Sequence, residues 1–259
     1  MLAPSSLDLD YLIETCRQAG AAILELYDGA IDVQRKADAS PLTLADLRSQ
    51  AIVAERLGRA FPQIPLLAEE TTEHAPYAVR RYWQEFWLVD PLDGTKEFLK
   101  RNGQFTVNIA LIQHRRPALG LVYAPALGTL YYGGPELGAF RLDPDGRRTR
   151  LPDAERSGGP RRIVGSLSHH SPAMEDYLAE ERRRHGEIEF VQMGSALKMC
   201  LVAEGLADAY PRFGTTMEWD TAAAHAVANA AGRKVLRWSS AEELTYNKED
   251  LRNDWFIVE

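Results

Sequence analysis

The chain has 259 residues, 45% of them hydrophobic and 26% charged, which fits an ordinary globular protein and excludes a low-complexity or disordered polymer. A net charge of −7, from 37 acidic and 30 basic residues, argues against a nucleic-acid polymer as partner but not against a small phosphorylated molecule. No apolar run is long enough to span a bilayer, and Met1–Asp8 lacks the basic and apolar regions of a signal peptide, so a cytoplasmic protein is expected, with peripheral attachment to the inner membrane left open. Cys16 and Cys200 lie far apart in apolar patterns and read as reduced core thiols, a disulfide being the other reading.

Leu9, Leu12, Ile13, Cys16, Ile23 and Leu26 recur at helical spacing, predicting a first helix capped by Ser6 and running to about Tyr27. Ile31 to Arg35 reads as extended. A polar loop then leads to Thr43, which with Asp46 three residues later forms a capping-box-like start to a helix ending near Ala60. Pro62 and Pro65 break the chain before a short strand, 66–68, that ends at Glu69-Glu70. The run Phe86 to Val89 reads as a buried strand entering Asp90-Pro91-Leu92-Asp93-Gly94-Thr95, where Pro91 and Gly94 predict a tight turn with both carboxylates pointing the same way.

Residues 105–113 and 118–123 predict a hairpin across Arg115-Arg116-Pro117, followed by short strands near 130–132 and 139–142 and a turn at 143–146. Residues 152–160, rich in Pro, Gly and charge, mark a boundary between an N-terminal α+β half, 1–155, and a C-terminal α/β half, 156–259, within one compact unit. The second half alternates: strand 162–166, helix 172–184, strand 188–192, helix 195–204, strand 207–210, helix 221–231 and a last strand at 254–258.

The Asp90–Asp93 pair is the chemical signal. Two carboxylates this close repel unless a cation sits between them, and oxygen ligands suit a hard divalent ion. An Asp-rich solvated turn is the plain alternative. Glu69-Glu70, Asp46 and Asp220 stand at similar strand ends and helix starts, and each alone reads as a capping or solvated residue, Asp220 as the N-cap of the helix after it.

Taken together, segments 36–46, 68–70, 87–98 and 218–227 resemble, in order and spacing, the signatures of the Mg²⁺-dependent, Li⁺-sensitive inositol monophosphatase-like phosphatases. Within that superfamily, Asp-Gly-Thr-Lys-Glu-Phe (93–98), Phe-Thr-Val-Asn-Ile-Ala-Leu-Ile (105–112), Gly-Ser-Ala-Leu-Lys (194–198), Tyr-Pro-Arg-Phe-Gly (210–214) and Trp-Asp-Thr-Ala-Ala-Ala-His-Ala-Val (219–227) are similar to the 3′(2′),5′-bisphosphate nucleotidases of the CysQ type. Ala68 departs from the Gly that many relatives carry there, without touching the carboxylates.

The resemblance implies an α/β fold, a five-layered αβαβα sandwich. It implies two or three Mg²⁺ ions and inhibition by Li⁺. Glu69, Asp90 and the Leu92 carbonyl would hold one ion, and Asp90, Asp93 and Asp220 the second. Asp46 and Thr95 would relay a proton from the attacking water, which Glu70 would orient. The substrate set would comprise Glu69, Leu92, Asp93, Gly94, Thr95, Ser195, Lys198, Arg212 and Asp220, with Ser166 and His169 as further contacts. Thr95 as a simple N-cap and Lys198 as a solvated helix residue are the plain readings. The implied reaction is hydrolysis of 3′-phosphoadenosine 5′-phosphate to AMP and phosphate, extending to the sulfated analogue, by a monomer or homodimer. An inositol or sugar monophosphatase and a non-catalytic nucleotide-binding protein are the alternatives.

Overall fold

The computed structural model describes residues 7–27, 29, 33–35, 41–153, 158–166 and 171–259. Helix α1 (Leu9–Tyr27) buries Leu12, Ile13, Cys16, Ala19 and Ile23 along one stripe, as its spacing requires. The Asp8 carboxylate accepts the Tyr11 amide at its start; Ser6, the expected cap, lies outside the described residues. Strands β1 (Val33–Arg35) and β2 (Pro41–Thr43) pair antiparallel and lead into α2 (Leu44–Ala60), whose Thr43–Asp46 capping box matches the expectation.

A seven-stranded sheet follows, from β3 (Leu66–Ala68), β4 (Glu85–Asp93), β5 (Thr106–Gln113), β6 (Arg116–Ala124), β7 (Thr129–Gly134), β8 (Gly138–Leu142) and β9 (Arg148–Arg150), hydrogen-bonded in chain order. Only β3 and β4 run parallel; every later pair is antiparallel. The β5–β6 hairpin turns at His114 and Arg115, both at positive φ, one residue earlier than expected. The short helices α3 (Tyr77–Arg80) and α4 (Thr95–Leu99) flank β4.

The remaining elements are β10 (Arg161–Gly165), α5 (Pro172–His185), β11 (Ile188–Gln192), α6 (Leu197–Glu204), β12 (Tyr210–Arg212), α7 (Glu218–Ala230), β13 (Val235–Arg237) and β14 (Phe256–Val258). Strand β10 pairs parallel with β11, and β14 lies between β12 and β13. An isolated parallel bridge from Ile163 to Ala209 sets the two groups side by side as a second sheet layer. The strand expected at 207–210 is shifted to 210–212, where it meets β14.

The burial pattern supplies the layers. Val107, Ile109 and Leu111 of β5 pack with α1 and α2, while Ala110 and Ile112 pack with α6 and α7. Ile163 and Ala209 of the second sheet pack against Met174, Tyr177 and Leu178 of α5. Helices, sheet, helices, sheet, helix: the five-layered sandwich implied by the resemblance is the observed architecture. Each fully buried Leu, Ile or Phe contributes about 1.5–3 kcal/mol through removal of apolar surface from water. Gly120 lets the central layer close, because a Cβ there would stand 2.0 Å from the Ala223 carbonyl oxygen of α7.

Cys16 and Cys200 are both free and buried, and they sit in the cores on opposite faces of the first sheet. The expected boundary near residue 155 lies outside the described residues, as does His169. No described helix is long and apolar enough to cross a membrane.

Candidate metal centre and substrate cleft

Strand β4 does not end at Val89. It runs on to Asp93, with a bulge between Asp90 and Asp93 in its pairing with β5. The expected tight turn is instead a bulged continuation of the strand, because Pro91 has no N–H for the ladder and is tolerated where pairing is interrupted. The Leu92 amide donates to Asp90 Oδ1 at 3.0 Å, and the Pro91 carbonyl accepts the Ser49 hydroxyl at 2.6 Å. The chain turns one residue later, at Gly94, whose φ of +89° suits glycine. Gly94 is thus the N-cap of α4 and Thr95 its first helical residue, which corrects the reading of Thr95 as the cap.

Asp220 likewise stands inside a helix rather than at its cap. Helix α7 begins at Glu218, and the Met217 amide donates to Asp220 Oδ2 at 2.9 Å. One oxygen from each of Asp90, Asp93 and Asp220 lies within 4.8 Å of the others. Glu69 is outside that compact set. It opens a short 3-10 helix after β3 and lines the same cleft as Asp93, Gly94, Thr95 and Asp220.

The electrostatics of the cluster ask for a cation. Burial, then the charges of Glu69, Asp93 and Asp220, push the Asp90 carboxyl well above its ordinary range. Burial raises Asp93 to about 6 against the opposing pull of Lys198. Burial, Asp93 and Glu69 raise Asp220 to about 8. The Asp93 Oδ2 atom is also buried with no hydrogen-bond partner. Crowded carboxylate oxygens with an orphaned acceptor among them fit a hard divalent ion of the Mg²⁺ kind.

Asp46, 1% exposed, stands in the first turn of α2. Its Oδ2 accepts the Thr43 amide at 2.8 Å and the Thr43 hydroxyl at 2.6 Å, leaving Oδ1 to accept the Thr95 hydroxyl at 3.3 Å. The Thr95 hydroxyl is also 3.4 Å from the Leu92 carbonyl oxygen. The Glu70 amide donates to Gln50 Oε1, tying the 3-10 segment to α2.

A cleft with a cavity volume of about 120 Å³ opens beside the carboxylates, lined by Asp93, Gly94, Ser166, Ser195, Lys198, Arg212 and Asp220 among others. Lys198 is 7% exposed, so it is not the solvated helix residue of the plain reading. Its Nζ donates to the Ser195 carbonyl at 2.6 Å and lies 5.5 Å from the centre of the Tyr210 ring. Burial lowers it to about 8, with Asp93 pulling the other way. Ser195 precedes α6 rather than opening it, at a φ of +47°, and its hydroxyl is unpartnered. Arg212 donates through Nη2 to the Thr215 carbonyl at 3.0 Å.

The structure adds residues that the sequence did not single out. Glu97, Tyr210 and Thr216 line the cleft, and Gln104 Oε1 accepts the Gly194 amide at 2.7 Å, fixing the loop before Ser195. Glu218, fully buried, pairs with Lys248 at 2.7 Å and accepts the Asn247 and Lys248 amides, anchoring the start of α7. For Glu97 the Lys-Glu-Phe tail was an available signal; Glu218 had none, since its partners lie some 30 residues away.

Five stacked layers with acidic residues gathered at a strand end and two helix starts define a fold and site of the metal-dependent phosphomonoesterase kind. The family model described as the inositol monophosphatase family matches residues 7–254, and the chain belongs to that family. A 3′(2′),5′-bisphosphate nucleotidase CysQ of Escherichia coli O157:H7 is 46% identical over 253 residues, covering 96% of this chain and 98% of that one. The crystal structure of CysQ from Bacteroides thetaiotaomicron, a bacterial member of the family, superimposes with a TM-score of 0.87 at 41% identity, covering 98% of each chain. The extragenic suppressor protein suhB from Bartonella henselae gives a TM-score of 0.75 at 25% identity, over 96% of this chain and 92% of that one.

Proposed function

We propose that this chain is a Mg²⁺-dependent 3′(2′),5′-bisphosphate nucleotidase that hydrolyses 3′-phosphoadenosine 5′-phosphate to AMP and phosphate, and also accepts its sulfated analogue. The observation that supports the substrate choice is that two cations, Lys198 and Arg212, line the same cleft as Asp93 and Asp220. A buried ammonium needs an anionic partner. A substrate with a second phosphate supplies one, whereas the hydroxyls of a sugar or inositol monophosphate do not. Near-full-length similarity to proteins named as bisphosphate nucleotidases supports the same reading.

Asp90, Asp93, Asp220, Glu69 and the Leu92 carbonyl would hold the cations. When bound, these neutralise phosphate charge, acidify the attacking water and stabilise the leaving oxygen. The chain's own residues do the rest. The Thr95 hydroxyl takes a proton from the attacking water as it passes its own to Asp46 Oδ1. Thr43 holds the other Asp46 oxygen, so the acceptor cannot rotate away. Glu70 orients the water. The amides of Gly94 and Thr95 donate to phosphate oxygens at the start of α4. The P–O bond to the 3′ carbon's oxygen breaks as the new P–O bond forms, and the ribose oxygen leaves with a proton from solvent. Ser195, Lys198 and Arg212 take the second phosphate, and Ser166 lines the nucleoside side. Phosphate release from 3′-phosphoadenosine 5′-phosphate, assayed with and without Mg²⁺, tests the reading: release that needs Mg²⁺ and is inhibited by Li⁺ supports it.

A further inference from the structure

Strand β5 carries two buried polar side chains that its surroundings leave unpaired. Thr106 and Asn108 are 0% and 1% exposed, yet the Thr106 hydroxyl and both amide atoms of Asn108 have no hydrogen-bond partner. Residues two apart on a strand share a face. The next two on this face, Ala110 and Ile112, belong to the apolar core shared with α6 and α7. Apolar residues at 106 and 108 would simply have extended that core. A buried amide or hydroxyl left unpaired is instead a desolvation penalty that calls for an explanation.

The register supplies one. Asn108 is the antiparallel partner of Asp90, and Thr106 that of Asp93. The bulge at Pro91 and Leu92 brings the two aspartates, three residues apart on β4, opposite two β5 positions that are two apart. Directly opposed residues place their Cβ atoms about 4.5–5.5 Å apart on one face of the sheet. Both orphaned side chains therefore stand beside carboxylates of the compact set, and the Asp93 Oδ2 atom is itself unpartnered. Carboxylates that hold a metal are as a rule hydrogen-bonded by an outer ring of residues that fixes their orientation.

We propose that Asn108 and Thr106 are positioning residues, whose amide and hydroxyl groups, unpaired in the cation-free chain, hydrogen-bond the carboxylates of Asp90 and Asp93 when these take up the cation and hold them oriented for it. The proposal rests on the metal-dependent reading above. It concerns cation affinity, so its test need not involve turnover. Asn108→Leu and Thr106→Val replace each group by an apolar one of similar shape, and Thr106→Ser keeps the hydroxyl. Thermal unfolding without cation and Mg²⁺ affinity by titration calorimetry are measured for each variant.

If the groups position the carboxylates, Asn108→Leu and Thr106→Val keep or raise the melting temperature without cation and lose Mg²⁺ affinity about 10–100-fold, while Thr106→Ser keeps it. Wild-type affinity in both apolar variants overturns the proposal, and so does equal loss in Thr106→Ser and Thr106→Val. Should Asn108→Leu fail to fold, the Thr106 pair decides alone. Wild-type protein that binds no Mg²⁺ overturns the metal reading beneath the proposal, an outcome distinct from either of these.

Discussion

The Thr95 hydroxyl donates to Asp46 Oδ1 across 3.3 Å, joining residues 49 positions apart. The two meet because a bulged strand delivers α4 to the start of α2, where the capping box has already fixed the Asp46 side chain. Asp46→Asn keeps an acceptor oxygen but cannot take a proton. It is expected to lower kcat about 10²–10⁴-fold while leaving Mg²⁺ affinity near wild type. Thr95→Val should do the same. Steady-state phosphate release with parallel Mg²⁺ titration checks both, and unchanged kcat in either removes the relay.

Asp90→Asn removes one charge from a crowded, buried set. Without cation the variant should melt no lower than wild type, since repulsion and desolvation are both relieved. Mg²⁺ at about 100 times its Kd stabilises the folded wild type by about 2.7 kcal/mol, or roughly 5–10 °C for a chain of this size. That increment should vanish in the variant. Retention of the full increment in a thermal-shift titration would mean that Asp90 does not hold the ion.

Asp93 and Asp220 are raised from 3.8 to about 6 and about 8, burial being the first cause of each. In cation-free protein the folded state therefore binds more protons than the unfolded chain between about pH 4 and pH 8. Stability falls as pH rises through that window, since ionising these groups in place is unfavourable. Mg²⁺ competes with those protons, so its stabilising increment should grow from pH 5.5 to pH 8. Melting temperatures across this range, with and without Mg²⁺, should diverge toward alkaline pH; parallel curves would contradict the sign.

Much of the site could be read from the sequence because Glu69 and Asp90 stand where apolar runs stop, at Ala68 and Val89, and Asp220 stands at the start of an Ala-rich helix. The long helices and most strands follow from periodicity, whereas β9 and β13 carry no such signal. What escaped depends on partners far along the chain. The bulge at Pro91–Leu92 looks like a turn until β5 is placed beside it. Helix α7 starts earlier than its Ala-rich run suggests, because Asp220 reaches back to the Met217 amide. Strand β12 shifts to 210–212 to meet β14, and β13 is only three residues of an otherwise polar stretch. The burial of Lys198 was illegible too: its helix face becomes interior only once Tyr210 and the carboxylates close over it.

Lys198→Met keeps the length of the side chain and removes the charge facing Asp93 and the cleft. A lost charge-assisted bond of about 1.5–3 kcal/mol predicts a rise in KM for the bisphosphate nucleotide of about 10–150-fold. A monophosphate substrate should be far less affected. An equal effect on both would place Lys198 in the scaffold rather than in substrate binding.

The choice of a nucleoside bisphosphate over a sugar monophosphate is the centre of the account, and one measurement addresses it directly. Purified protein in Mg²⁺ is given 3′-phosphoadenosine 5′-phosphate and inositol 1-phosphate in side-by-side phosphate-release assays. The expected kcat/KM for the nucleotide exceeds that for the inositol ester by at least about 10-fold, the lower bound set by one charge-assisted contact. Equal values, or preference for inositol 1-phosphate, would contradict it.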